Sequence, residues 1–292
     1  MTEQVLLSPA ELAEMQTSGG VVVIDTRAPA SYEAGHIPGA VNLHDIFTYL
    51  ATSTPEGMEE LKKKFAEAFG KAGLSGSETA VLVEESMASG FGQSCRGYFL
   101  LKFLGYPKAA VLHGGLAAWK AAGLPVTTEP TNAAPREFPM KDTGQEMMID
   151  WQTMLSAVED DRIVKLDVRD VDEWIADSSS PYGKDFCPRK GRIPNARWLE
   201  WYRLMKPTAS GPMFKSKDEI LAELHTVGVT SKTPVFLYCF KGARASNTLV
   251  ALKEAGVEDV RMYFGSWNEW SRDPALPVEG GPPWAPVMVA GE

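Results

Sequence analysis

The chain has 292 residues, 44% hydrophobic and 23% charged, an ordinary composition for a globular protein with room for about two cores. Its formal net charge of −9 leaves no basic footprint, which argues against nucleic-acid binding and requires any anionic substrate to be held by local cations. Three widely spaced cysteines and four histidines suit neither a disulfide framework nor a structural zinc site.

Residues 1–7 lack a basic n-region and no stretch is long and apolar enough to span a bilayer. No signal peptide and no membrane contact are therefore expected, and a reducing cytoplasm is the expected compartment. Ser8-Pro9-Ala10-Glu11 has the form of a capped helix start, with proline at the first helical position and a capping-box glutamate. Residues 21–27 form an apolar run ending in Asp25-Thr26-Arg27, a buried strand, and Gly35-His36-Ile37-Pro38-Gly39-Ala40 follows as a turn motif. Leu61, Phe65, Ala68 and Phe69 fall at helical spacing, with Gly73 as a stop. Residues 79–83 form a second apolar strand, leading into a glycine-broken loop from Glu85 to about Gln93 that carries no cation.

The whole series then recurs. The strand of residues 162–169 repeats residues 21–27, and Gly191-Arg192-Ile193-Pro194-Asn195-Ala196 echoes the earlier turn motif. Residues 233–237 repeat 79–83, and Phe264-Gly265-Ser266 leading to Trp270 repeats His113-Gly114-Gly115 leading to Trp119. An insertion near residues 177–190 accounts for the greater length of the second copy, and it reads as a solvated surface loop. Short apolar strands alternating with helical stretches predict an α/β fold of two tandem domains, each a parallel sheet with helices on both faces. The expected units are residues 1–127, a proline-punctuated linker at 128–147, residues 148–280 and an irregular tail at 281–292.

Residues 235–246 carry the chemistry. Val235-Phe236-Leu237-Tyr238 runs into Cys239, a short loop with two cations follows, and Ala245, Leu249 and Leu252 then begin a helical stripe. A thiol at a strand end, facing a helix N-terminus beside Lys241 and Arg244, is in the setting that favours thiolate over an inert buried cysteine. Gly242 permits a tight backbone path.

These motifs resemble the rhodanese family, specifically its tandem two-domain sulfurtransferases, along nearly the whole chain. The segment from Tyr32 to Leu43 is similar to the family's N-terminal signature. Residues 263–270 are similar to its C-terminal one, with Phe264 where an aspartate is usual. The resemblance implies a catalytic second domain and a non-catalytic first one; aligning the repeated strands places Glu85 opposite Cys239 and Cys95 opposite Ser246 as a packing residue. It implies transfer of sulfane sulfur through a Cys239 persulfide, with no cofactor and no metal. The partners would be a small-molecule sulfur donor and a thiophilic acceptor such as cyanide or a thiol, or a sulfur-accepting protein.

The loop Phe240, Lys241, Gly242, Ala243 and Arg244 would bind the donor. Its basic character points to thiosulfate, with 3-mercaptopyruvate sulfurtransferase or a persulfide carrier or sensor module as the alternatives. A donor-binding arginine usual at the position of Pro194 is replaced here, with Arg192 as the candidate substitute. His36 and His113 are expected to be structural, and Cys187 a surface cysteine. A phosphatase, which would share the fold, needs five residues between cysteine and arginine. Cys239 and Arg244 are separated by four.

Overall fold

The computed structural model describes residues 4–283. Most of the tail expected at 281–292, residues 284–292, lies outside the described residues. Five strands build the first sheet: β1 (Leu6–Leu7), β2 (Val21–Asp25), β3 (Val41–Asn42), β4 (Thr79–Val83) and β5 (Ala109–Leu112). The second sheet holds β6 (Met148–Ile149), β7 (Val164–Asp167), β8 (Arg197–Trp198), β11 (Val235–Tyr238) and β12 (Val260–Tyr263). Between β8 and β11 in the chain, β9 (Met205–Lys206) and β10 (Met213–Phe214) form a separate antiparallel ribbon. Both sheets are parallel and share one order, β1-β5-β4-β2-β3 and β6-β12-β11-β7-β8. The repeat in sequence is thus a repeat in topology.

The central strands are buried on both faces, which is why they read as continuous apolar runs rather than alternating ones. Ala80 and Leu82 of β4 face a core shared by the two domains, as do Val235 and Leu237 of β11. Their neighbours Val81, Val83, Phe236 and Tyr238 pack into separate outer clusters. The helices Gln93–Phe103 and Ala243–Glu254 lie between the sheets in the shared core and pack on each other. Leu249 and Leu252 are fully buried there, each contributing roughly 1.5–3 kcal/mol.

Local rules hold at the predicted helix ends. Glu11 N–H donates to the Ser8 hydroxyl at 3.3 Å while the Glu11 carboxylate accepts from Ser8 N–H at 2.7 Å. The helix Pro55–Lys71 buries Leu61, Phe65 and Phe69, leaving Ala68 half-buried. The domains are also tied by polar bonds: Ser53 donates from N–H and hydroxyl to Glu269 at 2.7 and 2.8 Å. Among the described residues no helix is long and apolar enough to cross a membrane.

Candidate active site

Strand β11 delivers Cys239 at the carboxyl edge of the second sheet, where open α/β sheets place their sites. Gly242 stands at φ +88° as the N-cap of the Ala243–Glu254 helix, and a Cβ there would lie 2.8 Å from Phe264 Cδ2. Glycine is required by both conformation and space. The first bond of the helix ladder runs from Ser246 N–H to Gly242 C=O at 3.0 Å, so the N–H groups of Ala243, Arg244 and Ala245 precede it. Gly242 N–H donates to Cys239 Sγ at 3.1 Å. The loop is pinned from behind by Ser266, whose Oγ accepts Cys239 N–H at 3.2 Å. The N–H groups of Trp267 and Asn268 donate to the carbonyls of Cys239 and Phe240 at 3.0 and 2.9 Å. Gly242→Ala is expected to cost about 1–3 kcal/mol in a urea melt and to slow sulfur loading; a wild-type melt would refute the steric argument.

Cys239 is only 1% exposed and lies on a cavity of about 440 Å³ between the domains. The loop residues Phe240, Lys241, Ala243 and Arg244 line this cavity with it, while Gly242 supports them through its N–H bond to Sγ. The first domain supplies His44, Phe47, Glu85 and Phe91 to the opposite wall. His44 Nδ1–H donates to the Thr26 carbonyl at 2.9 Å, which orients the ring on the cavity wall.

The two loop cations differ. Arg244 is gripped by Glu173 through both arms of its fork, Nη1 to Oε2 at 2.6 Å and Nη2 to Oε1 at 3.1 Å, with Asp170 at 3.0 Å. Burial works to lower its pKa, but Glu173, with Cys239 and Asp170, outweighs burial and raises it. The guanidinium of a loop residue expected to bind the donor is therefore already occupied. Lys241 has no ion pair among the described residues. Its Nζ sits 3.9 Å from the Phe47 ring centroid and 4.9 Å from that of Tyr182. Burial pulls the ammonium down to about 7, with repulsion from Arg96 and Arg244 adding to this and Cys239 opposing it.

Arg192 is not brought to the cavity. Its backbone pairs with Glu279 as that of His36 pairs with Thr127 in the first domain, and its guanidinium binds the carbonyls of Trp174 and Gly281 and the Glu279 carboxylate. It latches the returning chain, the duty of the histidine whose place it takes.

The alignment of copies shifts by one residue. Val83 C=O accepts Thr26 N–H as Tyr238 C=O accepts Val168 N–H, and Glu84 C=O accepts Leu116 N–H as Cys239 C=O accepts Trp267 N–H. Glu84, not Glu85, therefore stands opposite Cys239. Its carboxylate accepts Gln93 N–H at 2.9 Å and burial pushes it up to about 8. Matching the N-cap glycines, Gly92 and Gly242, places Cys95 opposite Ala245 rather than Ser246. Cys95 is fully buried in the shared core. Strands apolar on both faces carry no period-2 pattern, so sequence alone did not pin their register.

The inserted segment is a surface loop only in part: residues 181–186 are exposed, but both ends of that stretch are anchored inward. Ser178, Ser179 and Ser180 are buried, Tyr182 lines the cavity, and Tyr182 and Phe186 pack on the Phe240 ring at 5.5 and 5.8 Å. Cys187 is buried at 4% exposure, not on the surface. His36 bonds the carbonyls of Tyr32 and Glu129, and His113 accepts Phe214 N–H at 2.9 Å, both structural duties. Sequence reasoning missed Glu173, although its Asp170-x-x-Glu173 capping box was legible. It also missed Phe47 and Tyr182, for which no local signal exists. No group of three His, Cys, Asp or Glu residues among the described residues is placed to hold a metal ion.

Comparison with known proteins finds the rhodanese-like domain at residues 8–122 and again at 150–273. Thiosulfate sulfurtransferase of Azotobacter vinelandii is 27% identical, over 94% of this chain and 96% of its own. 3-Mercaptopyruvate sulfurtransferase of Escherichia coli K12 is also 27% identical, over 87% of each chain. The anaerobic ergothioneine biosynthesis enzyme from Chlorobium limicola, solved with trimethyl histidine, shares the fold at a TM-score of 0.81. It is 24% identical, the match covering 95% of this chain and 70% of that one.

Proposed function

Because the chain belongs to the rhodanese-like domain family and matches sulfurtransferases along most of its length, it is a sulfurtransferase, and we propose that it transfers sulfane sulfur from thiosulfate through a persulfide on Cys239. The observation that carries this reading is Cys239 Sγ accepting Gly242 N–H at 3.1 Å, before a helix N-terminus on the cavity wall. In the first half-reaction the Cys239 thiolate attacks the outer sulfur of the donor. The donor's S–S bond breaks, and sulfite leaves with the bonding pair. In the second, an acceptor nucleophile takes the outer sulfur and Cys239 regains its thiolate, a ping-pong sequence. The anion is met by Lys241 and by the loop N–H groups.

A second reading, 3-mercaptopyruvate as donor, is favoured by two observations. Arg244 is already neutralised by Glu173, and the cavity is walled by the aromatic rings of Phe47, Phe91 and Tyr182. Steady-state kcat/KM for both donors separates the readings. Thiosulfate is expected to give the higher value; the reverse order would overturn the donor and leave the Cys239 persulfide standing. A persulfide carrier would instead show slow turnover with small acceptors and fast transfer to a protein.

A further inference from the structure

Arg96 belongs to the first domain, which has no thiol at its strand end, yet it lies at the back of the Cys239 site. It is fully buried and makes no ion pair among the described residues. Its Nη1 donates to the carbonyls of Ile46 and Phe47 at 2.8 and 3.0 Å, and Nη2 to that of Tyr49 at 2.8 Å. The guanidinium carbon stands 4.7 Å from the Phe264 ring, which itself abuts Gly242 of the sulfur loop. A buried cation committed to three carbonyls of one short segment fixes where that segment's side chains go. One of them is Phe47, whose ring is 3.9 Å from Lys241 Nζ. The chain of contact runs from Arg96 to the 46–49 backbone, to Phe47, to Lys241, and so to the loop that holds Cys239.

We propose that Arg96 is a positioning residue for the second domain's sulfur site: by holding the carbonyls of residues 46, 47 and 49 it seats Phe47 on Lys241 and fixes the ammonium that meets the anionic donor. This rests on the reading of Cys239 as the persulfide carrier. It also gives the first domain a task beyond walling the cleft. The groups facing Lys241 are Cys239 and Arg244 from its own loop, Arg96 from the neighbouring helix, Tyr182 from the insertion, and Arg27, His44 and Glu85 across the cavity. Burial is the largest influence on its protonation, so water admitted beside it raises its pKa.

The test is single-turnover loading of Cys239 by thiosulfate across pH, read as the one-sulfur mass increment. Thiosulfate stays a dianion throughout the range, so the fall at high pH reports Lys241. In the wild type, loading is expected to decline above about 7, where the ammonium loses its proton. Arg96→Lys keeps a charge without the three-carbonyl fork, and Phe47→Ala removes the ring alone. Each is expected to move the decline upward by about one pH unit, and the double variant no further than Phe47→Ala. A purely structural role would lower the melting temperature and leave the decline in place. An unmoved decline in both single variants, with normal wild-type loading, overturns the proposal; a wild type that never loads overturns the function beneath it.

Discussion

Cys239→Ser is expected to abolish sulfur transfer, lowering turnover with thiosulfate by at least about 10³-fold. The reaction needs an atom that attacks a sulfane sulfur and then leaves again, and a serine hydroxyl at neutral pH does neither. The substitution is nearly isosteric, so the cradle made by Gly242 N–H, Ser266 and the α-helical N–H groups remains. The loss should therefore appear in chemistry and not in a thermal melt. Cys95→Ser and Cys187→Ser are the controls, since neither residue lines the cavity. Both place a hydroxyl in a buried site at a cost of about 1–3 kcal/mol, yet should keep most of the transfer rate. Transfer by Cys239→Ser at the wild-type rate, or its loss in Cys95→Ser with the fold intact, would place the nucleophile elsewhere.

Glu173→Gln should be the most destabilising of the single changes considered. Arg244 and Glu173 are both nearly excluded from solvent, at 5% and 1% side-chain exposure. Removing one partner of such a pair leaves the other as an uncompensated buried charge, and typical losses are about 3–5 kcal/mol. Asp170, at 3.0 Å from Arg244 but more exposed, retains part of the compensation, so about 3 kcal/mol is the expected loss. For domains of this size that lowers the melting temperature by roughly 6–10 °C. The same change frees one arm of the Arg244 fork toward the cavity and adds positive charge beside the sulfur loop, so the thiosulfate KM should fall in the surviving folded enzyme. A melting temperature within about 2 °C of the wild type, well short of the expected fall, would show that the pair is solvated in solution.

These expectations share a physical origin. The sulfur loop gathers N–H donors and cations around one buried atom, and each cation is held differently. Arg244 is locked by carboxylates, whereas Lys241 is held between aromatic faces and gives up its proton near neutrality. On the proposed reading, donor preference turns on Lys241 and the cavity walls more than on the count of basic residues in the loop.

The repeat, the parallel α/β sheets and the cysteine at the end of β11 were legible in the sequence because each is a local or periodic feature. The capping box at Ser8 and the glycine before Ala243 belong to the same class, since neighbouring residues alone specify them. Expectations that needed long-range partners did not survive intact. Arg192 was placed at the donor site by motif position, but a carboxylate and two carbonyls distant in sequence hold it elsewhere. The polar look of the insertion concealed three buried serines and the aromatic pair on Phe240, because burial depends on what the chain folds against.

By itself, then, the sequence determined the scaffold and where on it the proposed nucleophile Cys239 stands, for those follow from order along the chain. Only the tertiary structure decided which charges its sulfur meets. Glu173 reaches Arg244 across 71 residues of sequence, and Arg96 and Phe47 come to Lys241 from the other domain. Side-chain pairing over such separations is set by packing geometry, and no periodicity or spacing in a single sequence encodes it.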